Sequence, residues 1–169
     1  VLVKLRKFGI AALLGASLQL VGAAFAADVG QPAPAFDLPG ASGQVRLADL
    51  RGKLVYVDFW ASWCGPCKQS FPWMNEMQSK YGGHGLQIVG IAVDNKRADA
   101  EQFLKETPAK FTVAFDTQGE SPKTYRIKGM PSSYLIAPDG RVLYAHAGFR
   151  EQDKKELEER IRQALPKKP

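Results

Sequence analysis

Residues 54–60 form an apolar run broken by one charge, Asp58. Residues 66–81 then repeat apolar side chains at helical spacing, and residues 86–93 make a second apolar run. Runs of this length, bounded by turn residues, fit strands buried on both faces. The segment between them places Phe71, Met74, Met77 and Gln78 on one helical side, and Gly82-Gly83 ends it. The alternation continues. A helix is predicted over 98–105, with Ala100, Phe103 and Leu104 on one face and Thr107-Pro108 as its stop. Residues 111–116 read as a strand and 121–126 as a short helix. A hairpin, 132–137 and 141–147, turns at Pro138-Asp139-Gly140, and a last helix over 151–165 buries Leu157, Ile161, Ala164 and Leu165. Ahead of the first long strand, the Pro- and Ala-rich residues 28–39, a turn at 40–43 and a strand at 44–46 form an amino-terminal hairpin. Residues 47–50 make about one helical turn before Gly52. Strands alternating with helices and closing on a hairpin and a helix predict a three-layer α/β/α sandwich around a mixed sheet.

The amino terminus has a different pattern. Lys4, Arg6 and Lys7 precede an apolar segment, 8–21, and Ala24-Phe25-Ala26 supplies small residues of the kind a signal peptidase needs. Residues 1–26 are read as a signal peptide. The alternative is a retained anchor, since residues 8–27 are about as long as a bilayer span. Residues 27–165 form one domain, and 166–169 a basic tail. Without Lys4, Arg6 and Lys7 the net charge of +6 falls to about +3, too mild for a nucleic-acid partner.

Both cysteines of the chain lie in Cys64-Gly65-Pro66-Cys67, between the first strand and the first helix. A domain of this size has a core large enough to stand without a disulfide framework, so an exported chain with one C-x-x-C uses it for chemistry. Thiol–disulfide exchange needs a thiolate, whereas a free cysteine has a pKa of about 8.5. The amino-terminal end of the helix supplies unpaired N–H groups and a positive dipole end that hold the anion on Cys64. Cys67, one turn further in, is shielded; Cys64 therefore attacks and Cys67 resolves the mixed disulfide. Pro66 suits the first turn, where a missing N–H is harmless. Resolution requires Cys67 to lose a proton, and Asp58 is the nearest preceding carboxylate. Burial in so apolar a strand would raise its pKa toward neutrality. The alternative is a strand aspartate facing solvent.

The sequence 57–68, Val-Asp-Phe-Trp-Ala-Ser-Trp-Cys-Gly-Pro-Cys-Lys, followed by Gly129-Met130-Pro131, closely resembles the thioredoxin superfamily. The wider frame resembles its exported TlpA-like branch: residues 30–36, Arg51-Gly52-Lys53, a βα-type insert over 95–116, and Pro138-Asp139-Gly140. The resemblance covers nearly all of residues 27–165. It implies a thioredoxin-like fold, a cis peptide before Pro131, and a Met130 backbone that pairs with an extended substrate. Trp63, Met130 and Pro131 would form an apolar rim beside Gly65 and Pro66, and Gly148 would keep the groove open. It also implies a periplasmic monomer that reduces protein disulfides with electrons from a DsbD-like or CcdA-like membrane protein. The process served would be cytochrome c maturation or extracytoplasmic redox homeostasis, and no cofactor beyond the cysteine pair is needed. Two positions depart from the branch: Ser70 stands where many members have glutamate, and Asp58 where many have asparagine.

Other readings fit less well. Zinc on Cys64, Cys67, His84 and His146 lacks finger spacing, and Lys68 replaces the histidine that haem attachment requires. A peroxiredoxin, which shares the fold, needs threonine or serine three residues before the reactive cysteine, where this chain has Ala61. A disulfide oxidase or isomerase remains open. So does a Cu(I) chaperone using the cysteines with Met74 or Met77, since soft sulfur suits that ion.

Overall fold

The computed structural model describes residues 27–165; the expected signal segment 1–26 and tail 166–169 lie outside the described residues. An antiparallel hairpin, β1 (Asp37–Pro39) and β2 (Gln44–Arg46), leads through a 3₁₀ turn (Leu47–Leu50) into β3 (Leu54–Trp60). There follow α1 (Gly65–Tyr81), a 3₁₀ turn (Gly82–His84), β4 (Leu86–Ala92), α2 (Arg97–Glu106), β5 (Thr112–Phe115) and α3 (Glu120–Thr124). The chain ends with β6 (Ser132–Ile136), β7 (Val142–Ala147) and α4 (Asp153–Ala164). Five strands form one mixed sheet in the order β5-β4-β3-β6-β7. β3 lies at its centre, parallel to β4 and antiparallel to β6.

Central placement explains the composition of β3: every residue is buried, so both faces must be apolar. Side chains alternate across the sheet. Leu54, Tyr56 and Trp60 join one core with Phe71, Met74 and Met77 of α1, Ala100 and Phe103 of α2, and Leu157 and Ile161 of α4. Val55, Val57 and Phe59 join the other with Phe36, Leu47, Tyr125 and Tyr134. The helices α1, α2 and α4 thus cover one face, while α3 and the amino-terminal segment cover the other. This is the three-layer sandwich with a mixed sheet.

Local differences from the sequence reading have physical reasons. α1 begins at Gly65 because Cys64, in an extended conformation, is the residue that caps it. α3 stops early: Arg126 has φ +56°, a left-handed conformation that no helix continues through. Ala164 and Leu165 are only half-buried, whereas Leu157 and Ile161 carry the packing of α4. Gln78 faces the core because its side-chain amide bonds the backbone of β4, accepting from Ile88 N (2.8 Å) and donating to Leu86 O (3.3 Å).

Candidate active site

The chain leaves the central strand at Trp60 and crosses four residues, 61–64, before α1. That short loop is anchored by Asp94, just beyond β4. The carboxylate accepts from Ser62 N at 3.0 and 3.2 Å and from Ser62 Oγ at 2.5 Å. Cys64 N donates to Ala61 O at 3.0 Å, which completes the turn. Cys64 then occupies the N-cap of α1, where its Sγ accepts from Cys67 N at 3.2 Å. Serine or aspartate usually fills this role, so the sulfur sits where a helix offers unpaired donors to a partial negative charge. Pro66 lies in the first turn.

Cys64 and Cys67 are joined in a disulfide, with Cα atoms 5.3 Å apart. Cys64 keeps 5 % of its surface and Cys67 none. The order of access is the one expected, but Cys64 is more enclosed than an open nucleophile would be. The exposed member of the loop is its neighbour Trp63, at 70 %.

The Met130–Pro131 bond is cis. Pro131 immediately precedes β6, whose first residue, Ser132, pairs with Phe59 near the end of β3. Pro131 is buried, while Met130 is half-buried and packs against the core that contains both cysteines. Pro131 O accepts from Gly148 N at 2.7 Å. Gly148 has φ +84°, so glycine is required there by backbone conformation. A Cβ at Gly65 or Gly148 would meet nothing within 4 Å among the described residues, which leave the space beside either glycine open.

Asp58 alternates with Tyr56 and Trp60 and therefore points to the face on which α1 buries Cys67. Its exposure is 1 %, which excludes the solvent-facing alternative. Oδ1 accepts from Ser133 Oγ at 2.7 Å; Oδ2 has no hydrogen-bond partner among the described residues. Burial pushes the carboxyl pKa up to about 7, against the smaller opposing effect of the Ser133 hydrogen bond. Tyr56 on the same face has its hydroxyl pKa raised, first by burial and then by the nearby Asp58 charge.

The remaining candidates are scattered. His84 lies in the exposed turn after α1, and His146 on β7 near Asp153. Met74 and Met77 are fully buried in the α1 core. Ala61 is fully buried and offers no hydroxyl. Two residues that sequence reasoning missed, Asp94 and Ser133, hold the groups it found. The visible signal for the second was a pair of serines opening an otherwise apolar strand.

A dithiol–disulfide couple capping a helix, on a fold that buries a carboxyl beneath it, is the working part of a thiol–disulfide oxidoreductase, and the enzyme is of that class. Residues 29–145 match the AhpC/TSA family, and the chain belongs to it. The thiol-disulfide oxidoreductase ResA of Bacillus thuringiensis subsp. konkukian is 37 % identical over 140 residues, covering 82 % of this chain and 80 % of ResA. ResA of Bacillus subtilis is 33 % identical over 120 residues, covering 70 % and 67 %. Among solved structures, one of a thiol:disulfide interchange protein DsbE from Chlorobium tepidum is 55 % identical, with a TM-score of 0.81. It covers 82 % of this chain and 99 % of its own.

Proposed function

We propose that this protein reduces disulfides in other proteins outside the cytoplasm, with Cys64 as nucleophile, Cys67 as resolving thiol and Asp58 as proton carrier. The observation that carries the reading is the Cys64 sulfur accepting from the Cys67 amide in the first turn of α1, with Cys67 wholly buried behind it. In the reduced protein the Cys64 thiolate attacks a substrate disulfide, forming a Cys64–substrate bond and expelling one substrate thiolate. Asp58 accepts the proton of Cys67. The Cys67 thiolate then attacks Cys64, and the second substrate sulfur leaves. The substrate ends as a dithiol and the enzyme as the Cys64–Cys67 disulfide. Two sulfurs and a proton carrier suffice for this balance, so no cofactor is invoked.

Trp63, Gly65, Pro66, Met130, Pro131 and Gly148 form the surface that receives an extended substrate segment, with the Met130 backbone pairing to it. Gly65-Pro66 between the cysteines supports the reducing direction; thioredoxin lies at about −270 mV and the oxidant DsbA at about −120 mV. Relatives named ResA and DsbE support an extracytoplasmic setting, as does the leader-like pattern of residues 1–26. Among the described residues no helix is long and apolar enough to cross a membrane. A reductant in an oxidising compartment needs electrons delivered across the membrane, and the proposed donor is a DsbD-like or CcdA-like membrane protein. Apocytochrome c is the substrate proposed first and general redox maintenance second, with the protein acting as a monomer. The full burial of Met74 and Met77 supports a packing role for them over copper binding.

Cys67→Ser is expected to accumulate mixed disulfides on Cys64 in cells, and the trapped proteins identify the substrate. Cys64→Ser is expected to abolish insulin reduction; retained activity would overturn the assignment of roles. A measured potential above about −180 mV would move the reading to an oxidase or isomerase.

A further inference from the structure

Ser133 of β6 lies directly opposite Asp58 of β3. The register across the sheet aligns Gly90 of β4, Asp58 of β3, Ser133 of β6 and His146 of β7 in one row. Residues in such a row point to one face, here the face of α1. Ser133 is 3 % exposed and donates to Oδ1 of Asp58 at 2.7 Å, so both partners are shielded from competing water. Oδ2 is left as the oxygen of this carboxyl without a partner among the described residues.

A carboxyl group can carry its proton on either oxygen. When one oxygen already accepts a buried hydrogen bond, placing a proton there weakens that bond, because a carboxyl hydroxyl accepts less well than the bare oxygen. The other oxygen carries no such penalty. We propose that Ser133 is a positioning residue for thiol–disulfide exchange: its hydroxyl holds Oδ1 of Asp58, so that the carboxyl gives and takes its proton at Oδ2. The assignment rests on the proton-carrying role proposed for Asp58.

The groups facing Asp58 define the competing explanations. Tyr56 on the same strand lies close enough to feel the Asp58 charge. Cys67 and Trp73 are buried on α1. His146 on β7 is the cross-strand neighbour of Ser133, and its Nε2 lies 3.5 Å from Asp153 Oδ2 of α4. Gly90 on β4 contributes no side chain. Of these groups, Ser133 is the one that donates a hydrogen bond to the carboxylate. Its loss therefore acts on the ionised form of Asp58 in a single direction, upward in pKa.

The test uses Ser133→Ala and, for constant shape, the pair Ser133→Thr and Ser133→Val. Two quantities are followed against pH: the Asp58 carboxyl titration by carbon NMR in the oxidised protein, and the decay of the mixed disulfide. Alanine and valine are expected to move both midpoints upward together by about one unit, slowing resolution about fivefold at pH 7 and about tenfold well below it, with recovery at higher pH. Threonine, which keeps the hydroxyl, is expected to restore both midpoints. If alanine prevents folding, the threonine–valine pair carries the same contrast. An unchanged carboxyl midpoint in alanine or valine would overturn the role of Ser133 while leaving Asp58 in place. Wild-type resolution kinetics across pH in Asp58→Asn would overturn the role of Asp58 and that of Ser133 with it.

Discussion

Asp58→Asn is expected to change how stability depends on pH, and the size of the change follows from the site. The carboxyl pKa is about 7 in the folded protein against an ordinary value of 3.8. Between those two values the folded chain binds a proton that the unfolded chain has released, so stability falls as pH rises. The stabilising contribution of the neutral carboxyl is complete below about pH 4 and lost once pH passes about 7. A shift of some three units corresponds to about 4 kcal/mol, a large share of the 5–15 kcal/mol typical of a domain. Asparagine has the same shape and keeps an oxygen for Ser133, but it does not titrate. It introduces a fixed penalty by turning an amide toward the site of Oδ2, so the offset between the two proteins carries no information. The slope does. Urea unfolding of the oxidised proteins at pH 5, 6, 7 and 8 should show the wild type losing stability relative to the variant, levelling above pH 7. Other titrating groups are common to both and cancel. Curves that run parallel from pH 5 to 8 within about 0.5 kcal/mol would refute a perturbed Asp58.

Two further substitutions probe the scaffold. Asp94→Ala removes the acceptor of three hydrogen-bond contacts from Ser62, freeing the loop ahead of Cys64. The expected loss is about 2–4 kcal/mol, read by urea unfolding, with an altered rate of Cys64 alkylation in the reduced protein. Gly90→Ala puts a Cβ 2.8 Å from the Phe111 ring and 3.1 Å from Trp60 Nε1. A loss of about 1–3 kcal/mol in thermal or urea unfolding is expected, since neither ring lies free at the surface.

The sequence made the sheet and α1 legible because their signals are local. A seven-residue apolar strand and a helical stripe of Phe71, Met74 and Met77 each lie within one short window. The cysteine pair and the charge at Asp58 stood out for the same reason. What escaped depends on contacts between distant segments. Asp94 meets Ser62 across 32 residues of chain, and Ser133 meets Asp58 across 75. The second contact exists because β6 pairs antiparallel with β3 in one register, and a shift of one residue would turn Ser133 to the other face. The early end of α3 was hidden because arginine, unlike glycine, gives no sequence sign of a positive φ. The near-closure of Cys64 was hidden because it arises from tertiary packing of the disulfide into the core.

The buried polar groups are divided unevenly between the two faces of the sheet. On the face away from α1, Tyr125 donates to Pro34 O at 2.7 Å and Tyr134 donates to Tyr125 O at 3.0 Å. Among the described residues, four buried side-chain atoms lack a hydrogen-bond partner in the protein: Asp58 Oδ2, Trp60 Nε1, Trp73 Nε1 and His146 Nε2. All four belong to the face that holds the cysteines: Asp58 and Trp60 by strand alternation, Trp73 on α1, and His146 by its register with Ser133. A fold selected for stability alone would pair such groups or replace them with apolar ones, since each costs on the order of 1–3 kcal/mol. Their concentration on one side of one sheet separates the two layers by purpose. The layer of α3 and the amino-terminal segment is satisfied and stabilises the sheet. The layer of α1 leaves a carboxyl oxygen unpaired on the face where Cys67 is buried, and an oxygen without a donor is free to receive a proton.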